Sequence, residues 1–193
     1  MSTAAFSPSS RFLNRRMVRA LPPGTRRVIE LGAGTGALTR ALIDHGIDVH
    51  DLLAIEFNSN LYRFLSRRFE GLTVVQGDAQ SMDRIVEVVA FAGREPVQAV
   101  VSGLGLLSMS REAQYSILRA AFRLMPEGGY FVQFTYGPVT PVAGEVLRRL
   151  GLRARRHGFT LCNLPPASVY VFTRERESGA ARVPAVSLPT HFG

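Results

Sequence analysis

Short runs of apolar residues alternate along the chain with longer stretches in which apolar positions recur every three or four residues. The short runs are typical of strands buried on both faces of a sheet, and the longer stretches are typical of helices with one buried side. The pattern predicts strands at residues 27–31, 52–57, 72–76, 97–101 and 130–136. It predicts helices at about 37–45, 58–69, 83–91, 111–124 and 141–150.

The end of the pattern differs, because two strands follow each other directly at 152–160 and 168–173. We predict that these two strands form an antiparallel pair. Strands that alternate with helices imply a mostly parallel sheet with helices on both faces. The predicted fold is therefore an α/β domain at 25–174 with a doubly wound, mostly parallel seven-stranded sheet. Residues 175–193 lack periodicity and are expected to form a flexible tail.

An amphipathic helix is predicted ahead of this domain, within residues 1–24. Ser9 or Ser10 could cap the helix, which would run to about Leu21 and end at Pro-Pro-Gly. Its apolar positions share one face and are Leu13, Met17, Ala20 and Leu21. Its basic positions lie mostly on another face and are Arg11, Arg15 and Arg19. Such a helix suits either a lid over a site or the headgroup layer of an anionic membrane.

Composition limits the class of protein. With 193 residues, 46% of them apolar, the chain suits one globular domain. No apolar run reaches the roughly 18 residues of a membrane span, and arginines interrupt the segment where a secretory signal would be apolar. The single cysteine, Cys162, fits a reducing cytoplasm. The net charge is +8 without any lysine, and this surplus of arginine suits a phosphate-bearing partner, either a nucleic acid or an anionic membrane.

Candidate chemistry begins where the first predicted strand ends, because ligands of doubly wound sheets bind beyond the carboxyl ends of the strands. That strand contains Glu30 and runs into a loop with three glycines, at Gly32, Gly34 and Gly36. Glycines there permit a tight turn and let a ligand approach the backbone. A purely structural turn or a dinucleotide-binding motif would fit these glycines equally well.

The next three strands also end in polar or glycine-rich sequences. Glu56 ends the second strand, where a carboxylate can accept both hydroxyls of a ribose. Gly77, Asp78 and Ala79 follow the third strand, where a carboxylate can accept the exocyclic amine of adenine. Each has a plain structural alternative, which is a solvated strand-end acid for Glu56 and a helix-capping turn for Asp78. The fourth strand ends in Ser-Gly-Leu-Gly at 102–105, where a transferable group would lie.

The order of these four motifs resembles the class I S-adenosylmethionine-dependent methyltransferases, which have a Rossmann-like fold. The resemblance implies S-adenosyl-L-methionine as the cofactor and S-adenosyl-L-homocysteine as the product. It implies that Glu30 lies near the methionine amino group and that Glu56 holds the ribose. The other residues implied to line the cofactor are Gly32, Gly34, Thr35, Gly36, Phe57, Gly77, Asp78, Ala79 and Ser102.

Four blocks of sequence, at 8–11, 101–104, 131–138 and 163–167, resemble the bacterial phospholipid N-methyltransferases. The most particular are Phe-Thr-Tyr-Gly-Pro at 134–138 and Asn-Leu-Pro-Pro at 163–166. The resemblance implies a peripheral enzyme that methylates phosphatidylethanolamine toward phosphatidylcholine at the cytoplasmic face of the inner membrane. Gly105 departs from the resemblance, since proline is expected there in many relatives.

If the acceptor is a lipid amine, its chemistry indicates which other residues take part in catalysis and in substrate binding. Tyr136 and Ser102 are the expected catalytic residues, and Phe134 with Tyr136 could face the methylated ammonium by cation–π attraction. The expected substrate-binding residues are Ser9, Ser10, Arg11, Gly103, Leu104, Phe134 and Tyr136. No histidine stands at the predicted strand ends, so we expect the amine to lose its proton to water or to a tyrosine. No metal is expected.

Several alternatives use the same features. RNA adenine dimethyltransferases share the glycine, Glu and Gly-Asp-Ala pattern, but they usually carry Asn-Leu-Pro-Tyr after the fourth strand and a C-terminal RNA-binding domain. Neither is found in this sequence, so no nucleic-acid partner is expected. A nicotinamide dehydrogenase explains Gly-Asp-Ala at 77–79 poorly. Methylation of another small amine and a non-catalytic sensor of anionic membranes stay open, although intact Glu30, Glu56 and Asp78 argue against a degenerate site.

Overall fold

The computed structural model of the chain describes residues 8–91, 95–160 and 166–175. The strands are β1 Val28–Leu31, β2 Leu52–Glu56, β3 Thr73–Gln76, β4 Ala99–Ser102, β5 Tyr130–Tyr136, β6 Leu152–Thr160 and β7 Ala167–Arg174. The helices are α1 Pro8–Arg19, α2 Ala37–Asp44, α3 Ser59–Arg68, α4 Met82–Val88, α5 Arg111–Leu124 and α6 Gly144–Leu150. Every predicted strand and helix is present in this part of the chain.

The seven strands form one sheet in the order β3-β2-β1-β4-β5-β7-β6. Strands β1 to β5 are parallel, and β7 is antiparallel to both β5 and β6. The predicted α/β fold with a mostly parallel seven-stranded sheet is therefore confirmed. The chain order reverses beside β1, between β2 and β4, and such a reversal opens a crevice at the carboxyl ends of the strands.

The sheet is covered on both faces, because alternate residues of each strand point to opposite sides. On one face, Val28, Leu52, Val101 and Val132 pack with apolar residues of α1 and α2, and Ala54 packs with α3. On the other face, strand residues such as Ile29, Val100 and Phe131 pack with α4, α5 and α6. The helices thus form two layers, one with α1, α2 and α3, and the other with α4, α5 and α6.

Helix α1 buries its apolar side against the domain. Leu13, Met17 and Val18 are nearly inaccessible and belong to the core on the α2 side of the sheet. The residues that follow the helix, Ala20 and Leu21, form a turn in which their amides donate to carbonyls three residues earlier, at Met17 and Val18, and do not extend the helix. The predicted end at residue 21 is therefore two residues too late.

Other predicted boundaries were wrong by one to three residues. Helix α4 ends at Val88, not at 91, and Ala90 soon after it has a positive φ of 51° that no helix can continue. Helix α6 begins at Gly144, not at 141, because the Gln114 side chain accepts the amide of Ala143 and holds that residue extended. Strand β4 begins at Ala99, not at 97, and the side chain of Gln98 just before it accepts the backbone amides of residues 26 and 27, which lie ahead of β1.

Backbone hydrogen bonds join the loops that follow neighbouring strands. The amide of Gly32 donates to the carbonyl of Ile55 over 2.9 Å, and Gly103 donates to Leu31 over 2.8 Å. The amide of Gly77 donates to Glu56 over 3.1 Å. The ends of β1 to β4 are therefore held together at one edge of the sheet. Within the described residues, no helix is long and apolar enough to cross a bilayer.

Candidate functional site

The glycine-rich loop between β1 and α2 needs its glycines. Gly32, Gly34 and Gly36 have φ values of 67°, 57° and 81°, which L-residues rarely adopt. A Cβ on Gly36 would lie 2.3 Å from the Phe69 ring, and a Cβ on Gly32 would lie 2.6 Å from the Leu104 side chain. At Gly34 the nearest heavy atom would be 3.9 Å away, so that side of the loop is open to a ligand.

Glu56 ties this loop to the end of β2. The residue is 6% exposed, and its Oε2 accepts the amide of Gly34 over 2.9 Å while Oε1 accepts the amide of Asn58 over 2.8 Å. Each carboxylate oxygen can accept a second hydrogen bond. The side chain could therefore hold the loop and a pair of ligand hydroxyls at the same time. It is not the freely solvated acid of the structural alternative.

Glu30 lies below the same loop and is completely buried. The Thr39 hydroxyl of α2 donates to its Oε2 over 2.6 Å, but Oε1 has no hydrogen-bond partner within the described part of the chain. Burial raises the pKa of Glu30 to about 7; hydrogen bonds from Thr39 oppose the rise, and the charge of Glu56 adds to it. A buried carboxylate with one free oxygen suits a ligand ammonium group.

The loop after β3 begins with a cap. Asp78 Oδ1 accepts the amide of Gln80 over 2.9 Å, and Oδ2 accepts the Gln80 side chain over 3.2 Å. The capping alternative is thus realised at Asp78, and the exposed carboxylate keeps lone pairs for a further donor.

Phe57, in the neighbouring loop, has 74% of its surface exposed, which is unusual for a side chain of this size. An exposed ring beside this edge could stack on a flat ligand.

The loop after β4 presses against the glycine-rich loop. A Cβ on Gly103 would lie 2.9 Å from the carbonyl oxygen of Gly32, so only glycine fits there without a backbone shift. Ser102 is buried, and its Oγ accepts the amide of Leu104 over 3.3 Å. The Gln133 side chain of β5 donates to the Leu104 carbonyl over 2.7 Å. Sequence reasoning missed Gln133, although a glutamine in an otherwise apolar strand was a usable signal.

Phe134 and Tyr136 lie at the end of β5 on the side of the sheet covered by α1. Their rings meet edge to face with centroids 5.5 Å apart, and Tyr136 is 52% exposed. The next two residues are held by β7, since Ser168 Oγ donates to the Gly137 carbonyl over 2.7 Å and the Tyr170 hydroxyl donates to Pro138 over 2.6 Å. These two hydroxyls hold the chain just after β5, and the local pattern contained no sign of these contacts.

A basic groove of about 580 Å³ runs between α1 and α2. Arginines from three helices line it, namely Arg11, Arg15, Arg19, Arg40 and Arg68, and its single acidic residue is Asp44. Thr35 and Gly36 also line it, so the groove reaches the glycine-rich loop. Ser9 and Ser10 stand in the first turn of α1, and their side chains lie outside the described residues, as does the block at 163–165.

The structure brings most of the predicted residues to one edge of the sheet. Gly34 contacts Glu56, Gly32 contacts Leu104, and Asp78 follows Gly77, which bonds to the end of β2. No cluster of metal-ligating side chains occurs in the described ranges. The arrangement can hold a ligand that carries an ammonium, a diol and a flat ring, beside aromatic side chains and a basic groove.

No family model matches the sequence. Ornithine lipid N-methyltransferase from Singulisphaera acidiphila is 32% identical over 179 residues, which is 91% of this chain and 90% of that protein. Ribosomal RNA small subunit methyltransferase A from Bordetella pertussis is 41% identical over 70 residues, but these cover 35% of this chain and 25% of that protein. The likeness to the lipid enzyme therefore extends over nearly both whole chains, whereas the likeness to the RNA enzyme is partial.

Among solved structures, the methyltransferase CcbJ from Streptomyces caelestis has a TM-score of 0.67 at 15% identity, covering 91% of this chain and 94% of that chain. The glycopeptide N-methyltransferase MtfA, in a complex with S-adenosyl-L-methionine, has a TM-score of 0.65 at 15% identity, covering 91% of this chain and 100% of that chain. At this level of identity the likeness concerns the fold.

Proposed function

Because the chain belongs to the lipid N-methyltransferases, a family of class I S-adenosylmethionine-dependent enzymes, we propose that it methylates the amine of phosphatidylethanolamine toward phosphatidylcholine. Its cofactor is S-adenosyl-L-methionine, which leaves as S-adenosyl-L-homocysteine. The observation that carries the proposal is the buried pair of carboxylates, Glu30 and Glu56, at the ends of β1 and β2, on the sheet edge where Phe134 and Tyr136 end β5. A basic groove for the anion of a headgroup adjoins this edge.

The residues around the glycine-rich loop fit the cofactor group by group. The free oxygen of Glu30 suits the methionine ammonium, and Glu56 has acceptor capacity for the ribose hydroxyls. Phe57 and Asp78 are left for the adenine, as a stacking face and a hydrogen-bond acceptor. When bound, the cofactor supplies an electrophilic methyl group on a sulfonium centre, so the protein mainly has to align the acceptor.

The acceptor amine must lose a proton before it attacks. Its pKa is expected to be near that of lysine, about 10. Of the histidines in the described ranges, none lies within a loop that follows β1 to β5: His45 follows α2, His50 lies in the turn before β2, and His157 lies in β6. The proton therefore leaves to water or to Tyr136, which also orients the amine. Phe134 and Tyr136 would add about 0.5–2 kcal/mol of cation–π attraction for the methylated ammonium.

Headgroup recognition falls to the arginines of the groove, with Arg11 nearest the start of α1. Guanidinium groups bind phosphate and carboxylate oxygens in bidentate fashion. This chemistry suits phosphatidylethanolamine, and it also suits an ornithine headgroup with an amine and a carboxylate. Ornithine lipid is therefore the second candidate acceptor, favoured by the Singulisphaera relative.

Methyl transfer from radiolabelled cofactor tests the proposal directly. The acceptors are liposomes with phosphatidylethanolamine, liposomes with ornithine lipid, and bulk RNA. We expect label in phosphatidylethanolamine at a rate at least about tenfold above the other two. Label found only in ornithine lipid would support lipid N-methylation but would show that the acceptor is ornithine lipid and not phosphatidylethanolamine. Label only in RNA would overturn the lipid proposal, and tight cofactor binding without any label would favour a membrane sensor.

The same proposal places the enzyme at the cytoplasmic surface of an anionic membrane. Since α1 buries its apolar side in the domain, its arginines and the half-exposed Phe12 are the groups left for contact with lipid. Each arginine near an anionic surface contributes about 1 kcal/mol. We expect Arg15→Glu plus Arg16→Glu to weaken binding to anionic liposomes by about 30-fold or more, measured by flotation.

A matched control is available in the opposite helix layer. Arg119 and Arg148 are exposed on α5 and α6, and Arg119→Glu plus Arg148→Glu changes the net charge equally. This control should lower liposome binding by less than about threefold. Equal losses in both double variants would mean that net charge alone attracts the protein. Unchanged binding after the α1 substitutions would remove α1 from the membrane contact.

A further inference from the structure

Gln133 is a fully buried polar side chain in the middle of the sheet. It lies on β5, opposite Ser102 of β4 on one side and Tyr170 of β7 on the other. Its Nε2 donates to the carbonyls of Leu104 and Phe134, each over 2.7 Å. The side chain therefore reaches from β5 into the loop after β4.

The orientation of this amide follows from its neighbours. Both close groups are carbonyl oxygens, which need a donor, so the amide nitrogen must face them and the oxygen must face away. That oxygen, Oε1, is buried without a hydrogen-bond partner in the described ranges. A buried acceptor without a donor costs about 1–3 kcal/mol. An apolar side chain at 133 would avoid this cost, so the stability of the sheet does not explain the glutamine.

Another buried glutamine provides a comparison. Gln114 of α5 donates to the carbonyls of Leu106 and Met109, and its Oε1 accepts the amide of Ala143. All its polar atoms therefore have partners, as expected for a purely structural amide. Gln133 differs because one of its atoms lacks a partner and because its donors reach the loop beside the proposed acceptor.

Leu104 is held at both ends of its backbone. Ser102 Oγ accepts its amide, and Gln133 Nε2 donates to its carbonyl. Its side chain packs over Gly32, so its position also defines one wall of the glycine-rich loop. A shift of Leu104 would therefore move the acceptor loop against the cofactor loop.

We propose that Gln133 is a positioning residue for methyl transfer, which fixes the loop at 102–105 through the Leu104 carbonyl and so aligns the acceptor amine. The inference rests on the proposed function of this edge of the sheet. A misplacement of about 1 Å in an aligned site can lower a rate about 100-fold. We expect the effect mainly on kcat, because the hydrogen bonds of Gln133 go to the backbone carbonyls of Leu104 and Phe134 and not to Glu30, Glu56 or the arginines of the groove.

The first variant is Gln133→Leu, which keeps the approximate size and removes the donor. We expect kcat to fall about 100-fold, with KM and the cofactor Kd changed less than about threefold. Hydrogen exchange of the amides at 103–106 should become faster, which reports on the loop without any acceptor. Gln114→Leu is the matched control, and it should lower Tm while kcat of the folded enzyme changes less than about threefold.

The second variant, Gln133→Glu, separates positioning from packing. A neutral carboxyl can donate to the Leu104 carbonyl, whereas an ionised carboxylate cannot donate and is repelled by both carbonyls. Burial raises the pKa of such a group, so the donor is present at low pH and is lost as pH rises. We expect the ratio of variant to wild-type kcat to fall at least about tenfold between pH 5.5 and 8.5.

The outcomes separate this inference from the proposed function. Wild-type kcat in a folded Gln133→Leu variant overturns the positioning role, and so does a loss of activity that only follows a loss of cofactor affinity or of Tm. A ratio for Gln133→Glu that is independent of pH, in a folded protein, also overturns it. If the wild type methylates no lipid amine, the proposed function fails. Hydrogen exchange still tests the role of Gln133 in that case, because unchanged exchange of the amides at 103–106 in Gln133→Leu would show that Gln133 does not hold the loop.

Discussion

Glu56→Ala is expected to weaken cofactor binding about 100-fold or more. On the proposed assignment, the variant removes the acceptors of two ribose hydroxyls, and hydrogen bonds to a charged group contribute about 1.5–3 kcal/mol each. It also releases the amides of Gly34 and Asn58, which Glu56 accepts at 2.9 and 2.8 Å, so the glycine-rich loop loses its tie to β2. Titration calorimetry with S-adenosyl-L-methionine and with S-adenosyl-L-homocysteine measures the change. Glu127→Ala, at an exposed acid in the loop before β5, should leave both affinities unchanged.

A modified ligand distinguishes direct contact with the ribose from the effect on the loop. S-adenosyl-L-homocysteine without its 2′-hydroxyl should bind about tenfold more weakly than the normal ligand to the wild type. In Glu56→Ala the two ligands should bind almost equally, because the group that reads the hydroxyl has gone. An undiminished preference for the hydroxyl in the variant would assign the ribose to another residue. Wild-type affinity in Glu56→Ala would end the assignment altogether.

The fold could be predicted from the sequence because its signals are local. Helix α5 at Arg111–Leu124 and strand β5 at Tyr130–Tyr136 have the predicted bounds. Ser110 caps α5 by accepting the amide of Ala113, and Pro126 with the two glycines at 128 and 129 stops any continuation. Boundaries were wrong where a distant side chain decides them. Gln98 and Gln114 hold backbone amides far away in the sequence, and no local pattern records those contacts.

The candidate site divides in the same way. Glycines after a strand and acids at strand ends are recognisable in the sequence, and the structure joins two of these residues, Gly34 and Glu56, by a hydrogen bond at one edge of the sheet. Their role toward the cofactor stays a prediction. The hydrogen bonds that position the loops could not be predicted, because they depend on which strands become neighbours. Gln133 reaches Leu104 only because β5 lies beside β4. Tyr170 reaches Pro138 only because β7 enters antiparallel to β5.

Glu30→Gln is expected to stabilise the folded protein while it weakens cofactor binding. The carboxyl is buried in the folded state, and burial, its largest influence, raises its pKa from 4.5 to about 7. Folding therefore favours the protonated form. Its contribution to stability is complete below about pH 4.5 and is lost as the pH rises through about 7. Since each pKa unit corresponds to about 1.4 kcal/mol, the charged form costs the fold about 3 kcal/mol at pH 8.

Glutamine at position 30 keeps an oxygen for the Thr39 hydroxyl but never ionises, so it avoids this cost. For a chain of this length, the expected gain in Tm at pH 8 is about 6–12 °C over the wild type, measured by calorimetry without cofactor. At pH 5 the two proteins should melt within about 2 °C of each other, because Glu30 is then protonated in the folded state. Glu127→Gln, at an exposed acid, should show no such pH-dependent difference.

Binding should change in the opposite direction, because on the proposed assignment the charge that destabilises the fold is also the charge that pairs with the methionine ammonium. Wild-type affinity for S-adenosyl-L-methionine should rise between pH 5.5 and 7.5 as Glu30 ionises, whereas the affinity of Glu30→Gln should stay nearly constant. At pH 7.5 the variant should bind about tenfold to 100-fold more weakly. A buried group with only a structural role would change stability and affinity in the same direction, or affinity not at all. If Glu30→Gln is more stable than the wild type and binds the cofactor with the same affinity, Glu30 does not contact the methionine ammonium, and its raised pKa has no function in binding.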